Sequence, residues 1–263
     1  MSFFTEDYLE GAGAIKREAK AQLSGNWKSM MLLSLVPTLF SIVVVLWLFS
    51  GAFAVGFLGD QLQLVDPNQL TQNSGWEINL YVTTVNNGRL IEWALQAFFA
   101  LITVGIIYTM IDYIREDYQV RPLEDAFSAF TSGYGWKLFL VFLLKTVYTI
   151  LWTFVLIIPG IIKGYSYSQA YNIYRDVQEN GHDISVNDAI TASREMMDGH
   201  KFDLFALQIS FVGWYILSLF LLGIPLLWVI PYVNMSTAVF YENISTDYLA
   251  EKYNIHPHVS ETI

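Results

Sequence analysis

Cysteine is absent from this 263-residue chain, and charge is scarce, with only 14% of residues being Asp, Glu, Lys or Arg. Without cysteine there can be no disulfide, no thiolate zinc site and no thiol nucleophile. Histidine is also rare. His182, His200, His256 and His258 all fall between the apolar runs or beyond them, and none forms a pair at metal-ligand spacing within a run. No phosphate-binding glycine loop and no serine elbow occurs. The sequence therefore reads as a non-enzymatic protein with no cofactor and no metal site. Twenty-four acidic residues against 14 basic ones give a net charge of −10, the wrong sign for a nucleic-acid partner.

The charge fraction lies far below the roughly 25% of a soluble domain, while 54% of the residues are hydrophobic. The apolar residues are gathered into runs. Residues 29–59 and 93–111 carry no charge, residues 138–174 carry only Lys145 and Lys163, and residues 204–241 carry none. A membrane span needs about 20 apolar residues. A helix over the last run would be about 57 Å long, nearly twice a hydrocarbon core of about 30 Å, so the run must fold back. Proline marks the break at Gly223-Ile224-Pro225, and Ile158-Pro159-Gly160 marks another. The resulting expectation is an all-α, polytopic membrane bundle of six transmembrane helices near 29–52, 90–113, 137–158, 161–176, 202–222 and 226–243. Residues 1–28 form a tail before a single membrane domain, 29–263, with an outer loop over about 60–88 and a C-terminal tail from about 244.

Orientation follows from Lys and Arg, which stay cytoplasmic. Lys16, Arg17, Lys20, Lys28, Arg115, Arg121, Lys137, Arg175, Arg194, Lys201 and Lys252 share one side, eleven of the 14 basic residues. Both termini are then cytoplasmic, and Arg89 and Lys163 face outward. Short cytoplasmic interfacial helices precede the spans. Ile15, Ala19 and Leu23 recur every four residues among basic ones, as in a helix lying on a membrane surface. Pro122 suits a first helical position. Ser185 followed by Asp188 resembles a capping box ahead of Ala189, Ala192 and Met196. A shift of 66 residues superposes Gly133, Trp136, Leu138, Phe139 and Ile158-Pro159 on Gly199, Phe202, Leu204, Phe205 and Ile224-Pro225. Duplication and chance likeness between apolar segments both account for that match.

The stretch Leu156-Ile-Ile-Pro-Gly-Ile-Ile-Lys-Gly-Tyr-Ser-Tyr-Ser168 resembles the bacterial polytopic membrane proteins of domain-of-unknown-function family 975. Ile15-Lys16-Arg17 with Gly25-Asn26-Trp27, Asp188-Ala189-Ile190 through Arg194 to Gly199, and Leu227 through Tyr232 carry the same resemblance. It implies a multi-pass protein of the bacterial plasma membrane, and it brings no activity and no site residues.

Site candidates therefore come from the residues themselves. Lys145 lies eight residues into its run, where an ionisable group is costly and marks a pathway or a partner, unless its long stem snorkels to the interface. Gln169, Asn172, Gln208 and Asn234 fall at similar depth. Together the five are expected to line a polar, ligand-binding cavity, or else to hydrogen-bond between helices. Arg89, Glu92 and Lys163 are candidates for ion pairing at the outer face. Tyr167, Tyr171 and Tyr174 form a stripe that serves packing or a ligand groove. Two functions fit: binding or moving a lipid-like or peptide ligand through the bundle of spans three to six, or acting as a membrane scaffold in envelope assembly or membrane protection. The expected partners are membrane lipids and a peptide or protein.

Overall fold

The computed structural model describes residues 6–53, 75–115 and 118–255, with side chains over 11–46, 94–115, 118–154 and 156–255. Among the described residues every regular element is a helix. In chain order they are α1 (Glu6–Leu23), α2 (Trp27–Leu33), α3 (Leu35–Phe53), α4 (Gly75–Arg115), α5 (Pro122–Ala126), α6 (Ser128–Thr131), α7 (Gly135–Val155), α8 (Ile157–Ser166), α9 (Ala170–Glu179), α10 (Val186–Met196), α11 (Lys201–Ile209), α12 (Val212–Phe220) and α13 (Leu226–Tyr253).

Among the described residues, three segments are long and apolar enough to cross a membrane: Ala94–Arg115, Gly135–Phe154 and Lys201–Phe220. A fourth is made by α2 and α3 if that pair, bent by 67°, counts as one span. The bend has a local cause. Pro37 has no N–H to donate to the carbonyl four residues back, so the helix breaks at Ser34 and restarts. The chain thus has the build of a multi-pass membrane protein, with three or four such segments where the sequence led us to expect six. The expected fourth span is divided into α8 and α9, ten residues each, and the turn between them runs through Tyr167, Ser168 and Gln169. Ten residues make about 15 Å of helix, half a hydrocarbon core. In α9 every residue from Ala170 to Val177 is buried.

Several sequence signals are realised. Pro122 opens α5, and Ser185 caps α10, its Oγ accepting from the Asp188 N–H at 3.1 Å. Ala189, Ala192 and Met196 are buried. The stripe on α1 is also buried, at Ala19 and Leu23, but against protein, since α1 packs on α11 and α13. Tyr232 donates its hydroxyl to the Lys16 carbonyl at 3.0 Å. The Lys16 ammonium donates to the Ser210 carbonyl at 3.3 Å and lies over the Phe211 ring, and its burial lowers its pKa.

Two boundaries differ from expectation. Residues 75–88, expected as connecting loop, are helical in α4, and residues 54–74 lie outside the described residues. The helix α13 runs nine residues past Ile244, because Tyr248 and Lys252 both reach Glu195 on α10. It stops at Asn254, whose left-handed backbone (φ 55°) suits a helix terminus.

The two proline breaks correspond in place and differ in backbone. At the first, Leu156 is extended and Pro159 sits in the first turn of α8, where no helical N–H partner is needed. At the second, Leu222 and Gly223 both adopt positive φ and Pro225 caps α13. Helices α7 and α8 close into an antiparallel hairpin that depends on Gly160. A Cβ there would lie 2.7 Å from the Thr153 Cα, and at Gly164 it would meet only Thr149 Cγ2 at 3.8 Å. Gly160→Ala should therefore cost about 1–3 kcal/mol by forcing the arms apart, while Gly164→Ala should be neutral or mildly stabilising. Thermal unfolding of both variants in detergent separates the two outcomes.

Candidate functional site

Polar chemistry concentrates in two places, and neither is the cavity expected around Lys145. The first is a buried ionic lattice joining α4, α9 and α13. Arg115 forks onto Asp176, donating from Nη1 at 3.0 Å and from Nη2 at 2.7 Å, and its Nε donates to Glu242 at 3.1 Å. Tyr241 donates to the same Asp176 carboxylate at 2.7 Å. The neighbouring Arg175 pairs with Asp112 and with both oxygens of Glu179, and donates to the Tyr108 carbonyl at 3.1 Å. Tyr134, just ahead of α7, donates to Glu179 at 2.7 Å. Burial and that carboxylate hold the Tyr134 phenol above its ordinary pKa.

The pattern is a reciprocal exchange. Asp112 and Arg115 are three apart on α4, so they share a face. Arg175 and Asp176 are adjacent on α9, and each finds the opposite charge on α4. Planar guanidinium groups matched to carboxylates in this way fix orientation as well as distance. Five buried or half-buried charged groups, with Glu179 at the exposed edge, clamp three helices in one register. Sequence reasoning misses them as a site because they flank the apolar runs, where Arg115 and Arg175 bear on orientation and the acids read as a solvated face. The signal available was the opposite order of the two pairs, Asp-x-x-Arg at the end of one run and Arg-Asp at the end of another.

The five expected ligand-binding residues are distributed among local contacts. Lys145 on α7 lies over the Tyr171 ring at 5.1 Å. Asn172 donates to Gln169 at 2.9 Å, and Gln169 in turn donates to Ser168 at 3.1 Å. Gln208 accepts from Tyr165 at 2.9 Å, and Asn234 is buried on α13. Four cavities around the bundle are lined by other residues. Tyr174, in the expected stripe, is fully buried, with a hydroxyl that has no hydrogen-bond partner among the described residues. Arg89 and Glu92 lie where side chains fall outside the described residues, and so does their outer-face pairing with Lys163.

The second polar place is a cavity of about 320 Å³ between the α7–α8 hairpin and α10, lined by Tyr148, Trp152, Lys163, Tyr167, Asn187, Ile190, Thr191 and Arg194. Tyr148 donates to the Asn187 side chain at 3.1 Å, tying α7 to α10. The Lys163 ammonium lies over the Trp152 ring at 4.8 Å. Among the described residues no Asp or Glu lines the cavity. Next to it the surface turns apolar. Phe154 is 85% exposed and Ile158 72%, and Leu151, Leu156, Ile157, Ile161 and Ile162 are exposed as well. A water-soluble protein rarely leaves such a contiguous apolar patch uncovered.

The basic-residue count puts Lys163 and Arg194 on opposite sides of the membrane, whereas in the structure they share one cavity. The reason lies in α10. This polar helix, carrying Asp188, Arg194 and Glu195, packs against α7 and α8 as well as α9.

Residues 153–247 match the family described as "Protein of unknown function (DUF975)", which supports assigning the chain to that family. No curated protein and no solved structure matches the chain.

Proposed function

We propose that this chain, with its DUF975 segment over residues 153–247, is a plasma-membrane protein that binds a lipid-like ligand at the bilayer boundary, outside the interior of the helix bundle. The observation that carries this reading is the Lys163–Arg194 cavity, set at the edge of an uncovered apolar hairpin. The bundle interior favours no transport route, because Lys145, Gln169 and Gln208 are engaged in local contacts.

In this reading the α7–α8 hairpin enters and leaves the membrane on one side, so α7, although long and apolar enough to cross, does not do so. From Tyr148, which is hydrogen-bonded to α10, only seven residues remain to the end of α7, a reach of about 10 Å. That is about a third of a hydrocarbon core. A polar helix such as α10 stays at the water boundary, so the tip stays within one leaflet. The apolar turn between α12 and α13 repeats the theme, with Phe220 75% exposed. Both termini and α10 lie in the cytoplasm in this reading, following the basic residues. Six full crossings would need Lys163 and Arg194 on opposite faces, against their common cavity.

The test is purification in native lipid followed by mass spectrometry. A reproducible lipid retained at about one per chain is the expected result. A stoichiometric protein partner with no retained lipid would instead favour the scaffold role.

A further inference from the structure

We infer that the cavity between α7, α8 and α10 binds the phosphate of an anionic membrane lipid. This rests on the lipid-binding reading above and names the ligand's chemistry.

Two cations face one cavity in a chain of net charge −10. Among the described residues, neither Lys163 nor Arg194 has an ion-pair or hydrogen-bond partner for its side-chain charge, whereas Arg115, Arg121, Arg175, Lys201 and Lys252 all have one. The cavity is therefore electropositive, with Lys163 set over the Trp152 ring and Arg194 meeting neighbouring Glu195 only through its longer-range field. A guanidinium and an ammonium together suit a phosphate, the first as a planar fork and the second as a point charge. Thr191 and the Tyr167 hydroxyl add neutral hydrogen-bonding groups. Trp152 belongs to the residue type that settles at headgroup depth, with an apolar body and a polar edge.

What lies beside the cavity separates a lipid from a soluble phosphate compound. The flank of exposed Leu151, Phe154, Ile158 and Ile162 begins at Trp152 and Lys163 and carries no charge. A headgroup held between Lys163 and Arg194 leaves its acyl chains lying along that flank. A soluble phosphate compound would gain nothing from it.

The experiment uses the full chain in nanodiscs or detergent, with phosphatidylglycerol and phosphatidylcholine of identical acyl chains as probes and native mass spectrometry as the readout. The wild type should retain phosphatidylglycerol in preference to phosphatidylcholine. Lys163→Ala and Arg194→Ala should each reduce that preference about fivefold, in keeping with the worth of a basic residue near a lipid surface, and the double variant should abolish it. Lys137→Ala, an exposed cation outside the cavity, should leave it intact. Millimolar inorganic phosphate should not displace the lipid; displacement would reassign the cavity to a soluble phosphate compound. Lipid retained with no headgroup preference, or a preference unchanged in the double variant, overturns this inference and leaves the lipid-binding reading standing. No lipid retained by the wild type overturns that reading as well. Unfolding temperatures close to wild type would show that the alanine variants keep the fold.

Discussion

Asp176→Ala should destabilise the protein by about 3–5 kcal/mol, the usual cost of leaving one member of a buried ion pair without its partner. Asp176 accepts from both Nη atoms of Arg115 and from Tyr241, so its loss strands a buried guanidinium and a buried hydroxyl together. Arg115→Met should cost a similar amount, because it leaves Asp176 and Glu242 as buried like charges without their shared counter-ion. The double variant should lose clearly less than the sum. Once both partners are gone, little buried charge is left uncompensated apart from Glu242, and a double-mutant cycle reads that shortfall as coupling. Unfolding in detergent, followed by a structural probe, supplies all four corners. Strict additivity would mean that the lattice is a set of independent surface contacts, contrary to the burial of Asp176 and Glu242. The exposed pair of Arg121 with Glu124 offers the contrast. Removing it should change stability by less than about 1 kcal/mol.

The all-helical character was legible in the sequence because long charge-free runs admit few other solutions, and the matched Ile-Pro sites located both reversals. The number of helices long enough to cross was not, since run length measures apolarity and says nothing of what covers it. Residues 161–176 read as a span because they are poorly charged. They form a broken pair of short helices, with α9 buried from Ala170 to Val177. Ile15, Ala19 and Leu23 read as a membrane-facing stripe for the same reason. An apolar stripe looks alike whether lipid or another helix receives it.

The candidate sites were legible only in part. Lys145 stood out as a lone charge within a run, yet an aromatic ring on α9 is enough to accommodate it. The lattice residues were visible as letters and unremarkable as pattern, since charges at the ends of apolar runs are what any membrane protein presents. Their meaning depends on Arg175 and Asp176 facing Asp112 and Arg115, a relation between helices about sixty residues apart in the chain. The cavity residue Arg194 lay on a helix recognised by its cap. Only tertiary packing brought it to Lys163.

The absence of cysteine gives the hairpin its most decisive test, because any introduced thiol is the only one in the chain. Single variants Lys163→Cys and Arg194→Cys should react with a membrane-impermeant maleimide from the same face, the cytoplasmic one, in inside-out vesicles and not in intact cells. Ile158→Cys, at the exposed apolar tip, should react from neither face and become reactive only after detergent replaces the bilayer. The physical ground is the reach of the hairpin, about 10 Å past the Tyr148–Asn187 hydrogen bond, which buries the tip in hydrocarbon without delivering it to the far side. A thiol held there is kept protonated and out of reach of a charged reagent, and the thiolate is the species that reacts. The contrast should be close to all-or-none. Six full crossings would instead label Lys163→Cys and Ile158→Cys from outside, leaving only Arg194→Cys reactive from the cytoplasm. That outcome would pull the two cations to opposite faces and leave their common cavity without a role in lipid binding.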